Sequence, residues 1–329
     1  MSAESSPIES TGSYRPPFQK VVLGSRGSEL ARAQTRMVEE ALRFAWPKIE
    51  IEIQIIKTKG DEKSSKESEE PNDRRAGRKG LFTAEIGREL IAGRIDVAVH
   101  SAKDLPSEPV PGLEVRAALA RANTDDVLIT RNPGGFAALS WDAYIATGSV
   151  RRQHQLRRKH PAVRLKSLRG NVPTRLRKLH EHREWDGIVL ARAGLERLGH
   201  DLSSGTIQIE STNFFVEILP TEDFLPAGGQ GVIALEVRNN DEKTKRFVDA
   251  INDRETLTCL RAEREFLRLL QGDCDSPVGV QARCEGDSLR IRAQVFESNE
   301  KPPLVDSVEG RDDAPEGLAA QLMKKLYGR

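Results

Sequence analysis

Apolar and polar positions along the chain fall into a repeating strand–turn–helix order. "KVVLGSRGSELARAQTRMVEEALRFAW" opens on an apolar strand (Lys20 to Leu23) and turns through glycines. It continues as an amphipathic helix with Leu30, Met37, Val38, Ala41 and Leu42 near helical spacing. Ser28 is placed to cap that helix. "IEIEIQIIKTKG" alternates over most of its length and predicts a strand. In "DEKSSKESEEPNDRRAGRKG", Ala76 is almost the only apolar side chain, so residues 61–80 cannot bury a core and are expected as a mobile loop. "LFTAEIGRELIAG" resumes a helix, and "IDVAVHSAKDLP" predicts a buried strand ending in a polar turn.

A second unit begins near Asn123. "YIATGSVRRQHQLRRKHP", "VRLKSLRGNVPTRLRKLHE" and "WDGIVLARAGLERLG" are three strand–helix pairs, and "FLPAGGQGVIALEVR" is another glycine turn followed by a strand. Alternation of this kind predicts α/β units with mainly parallel sheets. From about Asp241 the pattern changes. One long amphipathic helix, "ETLTCLRAEREFLRLLQG", precedes alternating segments such as "LRIRAQVF", which predicts a smaller α+β unit. The expected division is a disordered tail (1–17), a first α/β unit (18–122 with 226–240), a second (123–225) and a third unit (241–329).

Composition narrows the class. A chain of 329 residues is too long for one ordinary core. Three scattered cysteines are no disulfide framework, so a reducing cytoplasm is expected. No apolar run approaches the roughly 20 residues of a membrane span, and the Ser/Pro-rich start lacks the apolar region of a signal peptide. The formal net charge of +1 conceals a local imbalance: Arg151 to Lys178 holds 11 Lys and Arg, with no acid between Asp142 and Glu181. Such a stretch implies an anionic partner.

Polar turns follow the predicted strands at "GSRGS", "TGSVRR" and "LRGNVPTR". Strand carboxyl ends are where open α/β sheets bind ligands, and the next helix N-terminus favours anions. These turns contribute Arg26, Ser28, Ser149, Arg151, Arg152, Arg169 and Arg175, and arginine forks suit carboxylate or phosphate. No phosphate-binding glycine motif accompanies them. Lys103 and Asp104 end the apolar strand, where Asp104 reads as general acid, base or counter-ion to a cation, or as a turn residue serving its own backbone. His100 reads as a packed or hydrogen-bonded strand-end residue, and Cys259 as core. Cys284 follows a strand and belongs to no motif. Cys274 sits between Asp273 and Asp275 in a turn shaped by Gly272 and Pro277. Acidic neighbours disfavour a thiolate there.

Nine segments in order resemble the porphobilinogen deaminase (hydroxymethylbilane synthase) family: "GSRGSELA", "TKGD", "GRKGLF", "DVAVHSAKDLP", "TGSVRRQ", "LRGNVPTRL", "LARAGLERLG", "LPAGGQG" and "ERE-FL-LL-G-C-SPVG". The resemblance implies two periplasmic-binding-protein-like α/β domains around a cleft, plus a smaller α+β C-terminal domain. It implies a transferase of porphyrin and haem biosynthesis that joins four porphobilinogen molecules head to tail into hydroxymethylbilane and releases ammonia. The work is done on a dipyrromethane cofactor, which the resemblance attaches to Cys274 by a thioether. It assigns the cofactor carboxylates to Lys103, Ser149, Arg151, Arg152 and Arg175, and the substrate and growing chain to Arg26, Ser28, Arg169 and Arg197. Asp104 matches the catalytic aspartate, and Lys79 and Phe82 follow a loop that lies over the cleft. A monomer acting on a small molecule, with no metal, nucleic acid or membrane partner, is expected.

The chain departs from the family's usual residues at Ala102, Gly148, Gly228 and Asp273. Two other classes remain open at this level. A nucleic-acid binder would use the basic stretch, although between Ala143 and Glu184 the only aromatic ring besides histidine is Tyr144. A non-catalytic carboxylate binder would share the two-lobed design.

Overall fold

The computed structural model describes residues 19–58, 80–271 and 277–328. The expected tail and most of the loop at 61–80 lie outside that set, as do Lys79, Asp273 and Cys274. In chain order the elements begin with β1 (Lys20–Arg26), α1 (Glu29–Ala45), β2 (Glu50–Ile56), α2 (Gly80–Ile91), β3 (Val97–Ser101) and a 3₁₀ turn, Ala102–Asp104. Next come β4 (Leu113–Ala118), β5 (Asp126–Thr130), β6 (Tyr144–Ala146), α3 (Val150–Lys159), β7 (Arg164–Lys166) and α4 (Val172–Glu181). They are followed by β8 (Gly187–Ala191), α5 (Arg192–Arg197), β9 (Thr206–Ile209), β10 (Thr212–Leu219) and β11 (Ile233–Arg238). The last are α6 (Glu242–Asp249), α7 (Arg254–Leu269), β12 (Val278–Glu285), β13 (Ser288–Val295), β14 (Leu304–Arg311) and α8 (Pro315–Tyr327).

Three sheets organise these elements, in the orders β2-β1-β3-β11-β4, β7-β6-β8-β5-β10-β9 and β12-β13-β14. The two α/β units and the smaller α+β unit are therefore present. The first two sheets are not mainly parallel, as expected, but mixed. β1 runs parallel to β2 and β3, whereas β11 is antiparallel to both β3 and β4. In the second sheet β6 is parallel to β7 and β8, whereas β5 is antiparallel to β8 and β10. The reason is the path of the chain. It leaves the first sheet after β4 to start the second at β5, and returns after β10 to insert β11. A crossing strand arrives from the other unit without a helical crossover and is free to run the opposite way.

Helix α6 corrects the expected start of the third unit at 241. Its Phe247 and Val248 are fully buried with Val21, Leu23, Val38, Leu42 and Trp46 of the first core. Trp46 stacks on Phe247 at 5.9 Å and its Nε1 donates to the Phe247 carbonyl. The third core begins with α7, where Cys259, Ala262 and Phe266 pack on Val280, Ile291 and Leu318.

One buried carboxylate ties this third unit to the others. Glu263 on α7 has a side chain closed to solvent, and it accepts from Arg121 Nη1 (2.7 Å) and Nη2 (3.0 Å), Gly229 N (2.6 Å) and Ala282 N (2.7 Å). Arg121 follows β4 at the outward crossing, and Gly229 precedes β11 at the return. Breaking one side of a buried, fully bonded pair leaves an uncompensated charge. Glu263→Gln is expected to cost about 3 kcal/mol of stability, read as a lower urea midpoint. A midpoint equal to that of the unaltered protein would show that the pair contributes nothing.

Candidate functional site

The parallel strands of both α/β units present their carboxyl ends to the site. β1 ends at Arg26, and Ser28 Oγ then caps α1 by accepting from Ala31 N (3.3 Å), as its position predicted. β3 ends in the turn that carries Lys103 and Asp104. β6 leads to Ser149, which caps α3, and β7 leads to Asn171, whose Oδ1 accepts from Thr174 N (2.9 Å) at the start of α4. An added Cβ at Gly194 on α5 would lie 3.7 Å from both Leu30 of α1 and Val172 of α4, so these helices meet.

Helix α3 starts against the electrostatic rule. Its first turn has no acid and carries Arg151 and Arg152, although a helix N-terminus favours negative charge. Both arginines are buried, at 3% and 5% exposure. The compensation comes from Asp126, the first residue of β5, which is fully buried. Asp126 Oδ2 accepts from Arg151 Nη1 (2.8 Å), and Oδ1 accepts from Arg152 Nη2 (2.7 Å) and Gln230 Nε2 (2.9 Å). Burial opposes the Asp126 charge, but the two guanidiniums hold its carboxyl well below the usual range. Arg151 also donates to Gln155 Oε1 and the Leu225 carbonyl, and Arg152 to the Val189 carbonyl.

One carboxylate does not use up two guanidiniums. Among the described residues, the Nε atoms of Arg151, Arg152 and Arg197 are buried without a hydrogen-bond partner. Arg197 Nη2 donates to the Gly231 carbonyl, and Arg175 Nε to the Gly170 carbonyl. Burial pushes Arg197 down to about 10, and burial together with Arg152 does the same to Arg175. Lys103 is pushed down to about 8 by burial, with Arg152 and Arg175 also lowering it and Asp104 and Asp126 opposing. The turn of the first unit and the arginine turns of the second therefore share one electrostatic site. It has a surplus of cations and unused N–H donors, a donor set for ligand carboxylates.

Lys103, Asp104, Ser149, Arg151, Arg152 and Arg175 come together. Arg26 and Ser28 lie at the β1–α1 turn, Arg197 ends α5 close by, and Arg169 is exposed on the β7–α4 turn. Cys274, Lys79 and the side chain of Phe82 lie outside the described set. His100 is the buried strand-end residue expected, with Nε2 3.2 Å from Glu236 Oε2. Asp126, Gln155 and Gln230 were missed. For Asp126 and Gln230 the signal was a polar residue at the head of, or next to, an apolar buried run, which requires a partner, whereas Gln155 sits in a polar helix stretch and carried none.

The departures have local causes. A Cβ on Gly148 would lie 2.5 Å from the Leu168 carbonyl oxygen, and one on Gly228 would lie 2.8 Å from Leu267 Cδ1. Ala102 is buried against Leu105, Ala118, Val232 and Leu260.

A family model described as porphobilinogen deaminase, dipyromethane cofactor binding domain, matches residues 21–246, and one for the porphobilinogen deaminase C-terminal domain matches 257–328. The chain belongs to the porphobilinogen deaminase family. The porphobilinogen deaminase of Roseiflexus sp. (strain RS-1) is 42% identical over 309 residues, covering 94% of this chain and 96% of the relative. That of Moorella thermoacetica is 39% identical over 313 residues, covering 94% of each. Among solved structures, the periplasmic aliphatic sulphonate binding protein SsuA from Escherichia coli is 13% identical, covering 77% of this chain and 71% of that one at a TM-score of 0.38. The family's cofactor is dipyrromethane, whose two pyrroles each carry an acetate and a propionate. The unpartnered Nε atoms of Arg151 and Arg152, beside Lys103 and Arg175, suit those carboxylates.

Two outcomes are expected from this geometry. Asp126→Asn removes the charge that orients both guanidiniums, so the purified variant should carry much less dipyrromethane by intact mass. Full loading with unaltered turnover would show that the arginines need no such anchor. Lys103 is cationic below about pH 8 and neutral above it. Calorimetric binding of preassembled tetrapyrrole to Cys274→Ser protein should therefore weaken as pH rises through that value. Lys103→Arg, which stays charged, should remove the limb. A limb unmoved by that change would assign it to another group.

Proposed function

We propose that this chain performs the family's reaction, joining four porphobilinogen molecules into hydroxymethylbilane, with Asp104 as its catalytic carboxylate and Cys274 as the attachment point of the cofactor. The observation that supports this reading most is the Asp126 clamp. It holds two arginines with unused donors opposite the Lys103–Asp104 turn. Lys103, Ser149, Arg151, Arg152 and Arg175 would hold the cofactor. When bound, dipyrromethane supplies the starting pyrrole and a covalent tether for the chain.

The chain's own residues then have distinct tasks. Arg26, Ser28, Arg169 and Arg197 receive the carboxylates of incoming porphobilinogen. Loss of ammonia from that substrate leaves a cationic methylene-pyrrolenine, which the Asp104 carboxylate stabilises while it handles the proton at the pyrrole N–H. The proton released when the new carbon–carbon bond forms passes to the same carboxylate. Lys79 and Phe82, which follow residues 61–78 in sequence, are read from the family resemblance as further contacts to substrate.

Within the basic stretch Arg151 and Arg152 are buried, which favours their use on the carboxylates of a small ligand. Among the described residues no helix is long and apolar enough to cross a membrane. We read the protein as a cytoplasmic monomer.

Intact protein is expected to exceed its sequence mass by one dipyrromethane, mapped to the Cys274 peptide. An active preparation with unmodified Cys274 would end the reading. Asp104→Ala should keep the fold and the cofactor while turnover falls roughly 10²–10⁴-fold. Hydroxymethylbilane production near the unaltered rate would leave Asp104 a turn residue only.

A further inference from the structure

The chain has three cysteines. With Cys274 read as the attachment point, two remain, and they were unrelated in the sequence. The fold brings them together: Cys259 on α7 and Cys284 on β12, 25 positions apart, have their Sγ atoms 3.6 Å from one another. Cys259 is buried in the third core and Cys284 is partly exposed at its edge. α7 and β12 are also the two elements that bracket residues 270–277.

We propose that Cys259 and Cys284 form a redox site that a peroxide converts reversibly into an intramolecular disulfide. The more accessible Cys284 sulfur attacks the peroxide oxygen, giving a sulfenic acid and one water from hydrogen peroxide. Cys259 sulfur then displaces hydroxide from that sulfenic sulfur, and its proton leaves with the hydroxide as a second water. Two thiols are oxidised and one peroxide is reduced. The sulfurs already touch, so side-chain rotation with a small backbone adjustment brings them to bonding distance.

The surroundings set the response slow. Burial, with Glu263 and the Cys284 sulfur nearby and Arg121 opposing, pushes the Cys259 thiol up. Burial also raises Cys284, supported by Glu255 and Asp312 and opposed by its bond to Cys259 and by Arg254. Little thiolate is present at neutral pH, so the site answers sustained oxidation rather than brief exposure. The cross-link closes the loop that holds residues 270–277 and pins α7 to its sheet. The proposal stands on the sulfur–sulfur contact and not on the reading of Cys274.

The experiment treats the full-length loaded enzyme with hydrogen peroxide, then alkylates it under denaturing conditions. The expected product is lighter than untreated protein by two hydrogen atoms, and its peptide map links Cys259 to Cys284. Dithiothreitol restores the starting mass, and the linked form melts several degrees higher. Cys284→Ala should turn over normally and form no link. Peroxide that adds oxygen to Cys284 while Cys259 stays open to alkylation would overturn the proposal, as would a protein left unchanged. Peroxide-induced links that join Cys259 or Cys284 to Cys274 in place of one another would overturn it as well.

Discussion

The site depends on one buried carboxylate held between two buried guanidiniums. Moving Arg151 and Arg152 out of water side by side is costly, and the N-terminal end of α3 raises that cost. Asp126 makes the arrangement tolerable with a single negative charge, which leaves the cluster cationic and its Nε donors unused. A ligand that brings carboxylates completes the balance that the protein leaves open. The cluster is therefore both a fold element and a demand for a particular chemistry.

The same clamp is joined to the paths between units. Gln230 Nε2 reaches Asp126 and the Thr124 carbonyl, while the adjacent Gly229 N–H donates to Glu263. Gly229 has φ +75, and a Cβ there would sit 3.0 Å from Lys103 N and from the Ala102 carbonyl carbon. Only glycine accepts both the left-handed backbone and the close approach. Two residues of the returning crossing thus touch the Lys103 turn of the first unit, the arginine clamp of the second and the helix of the third.

Much of this was legible in the sequence for physical reasons. Periodicity placed β1, α1, β2 and β3, and the side-chain oxygen of Ser28 after a glycine turn marked the cap of α1. The arginine excess announced an anion. Non-local information was missing. In "NTDDVLIT" Asp126 looks like an ordinary turn acid, and only its burial against residues 25 and 26 positions away reveals its role. The mixed sheets escaped because a strand's direction depends on which unit supplies it. α6 escaped because an amphipathic helix does not state which core it covers, and Trp46, at the C-terminal cap of α1, answers that. Cys259 and Cys284 carry no shared motif, since a helix and a strand have different periods.

Gly148 shows how a departure from the family pattern changes the physics rather than the outline. Its missing side chain lets the Leu168 carbonyl oxygen approach to where a Cβ would be only 2.5 Å away. Any side chain at this position would need the β6–α3 turn to stand farther from the β7–α4 turn. The two turns lie close together, and the helices that follow them, α3 and α4, carry Arg152 and Arg175. The proximity is registered in Arg175, whose proton is held less tightly because of burial and then because of Arg152. Like charges brought closer raise the free energy of the empty site more than that of the filled one, since a bound carboxylate screens one from the other. A ligand that presents a carboxylate to each of the two helix starts relieves that repulsion.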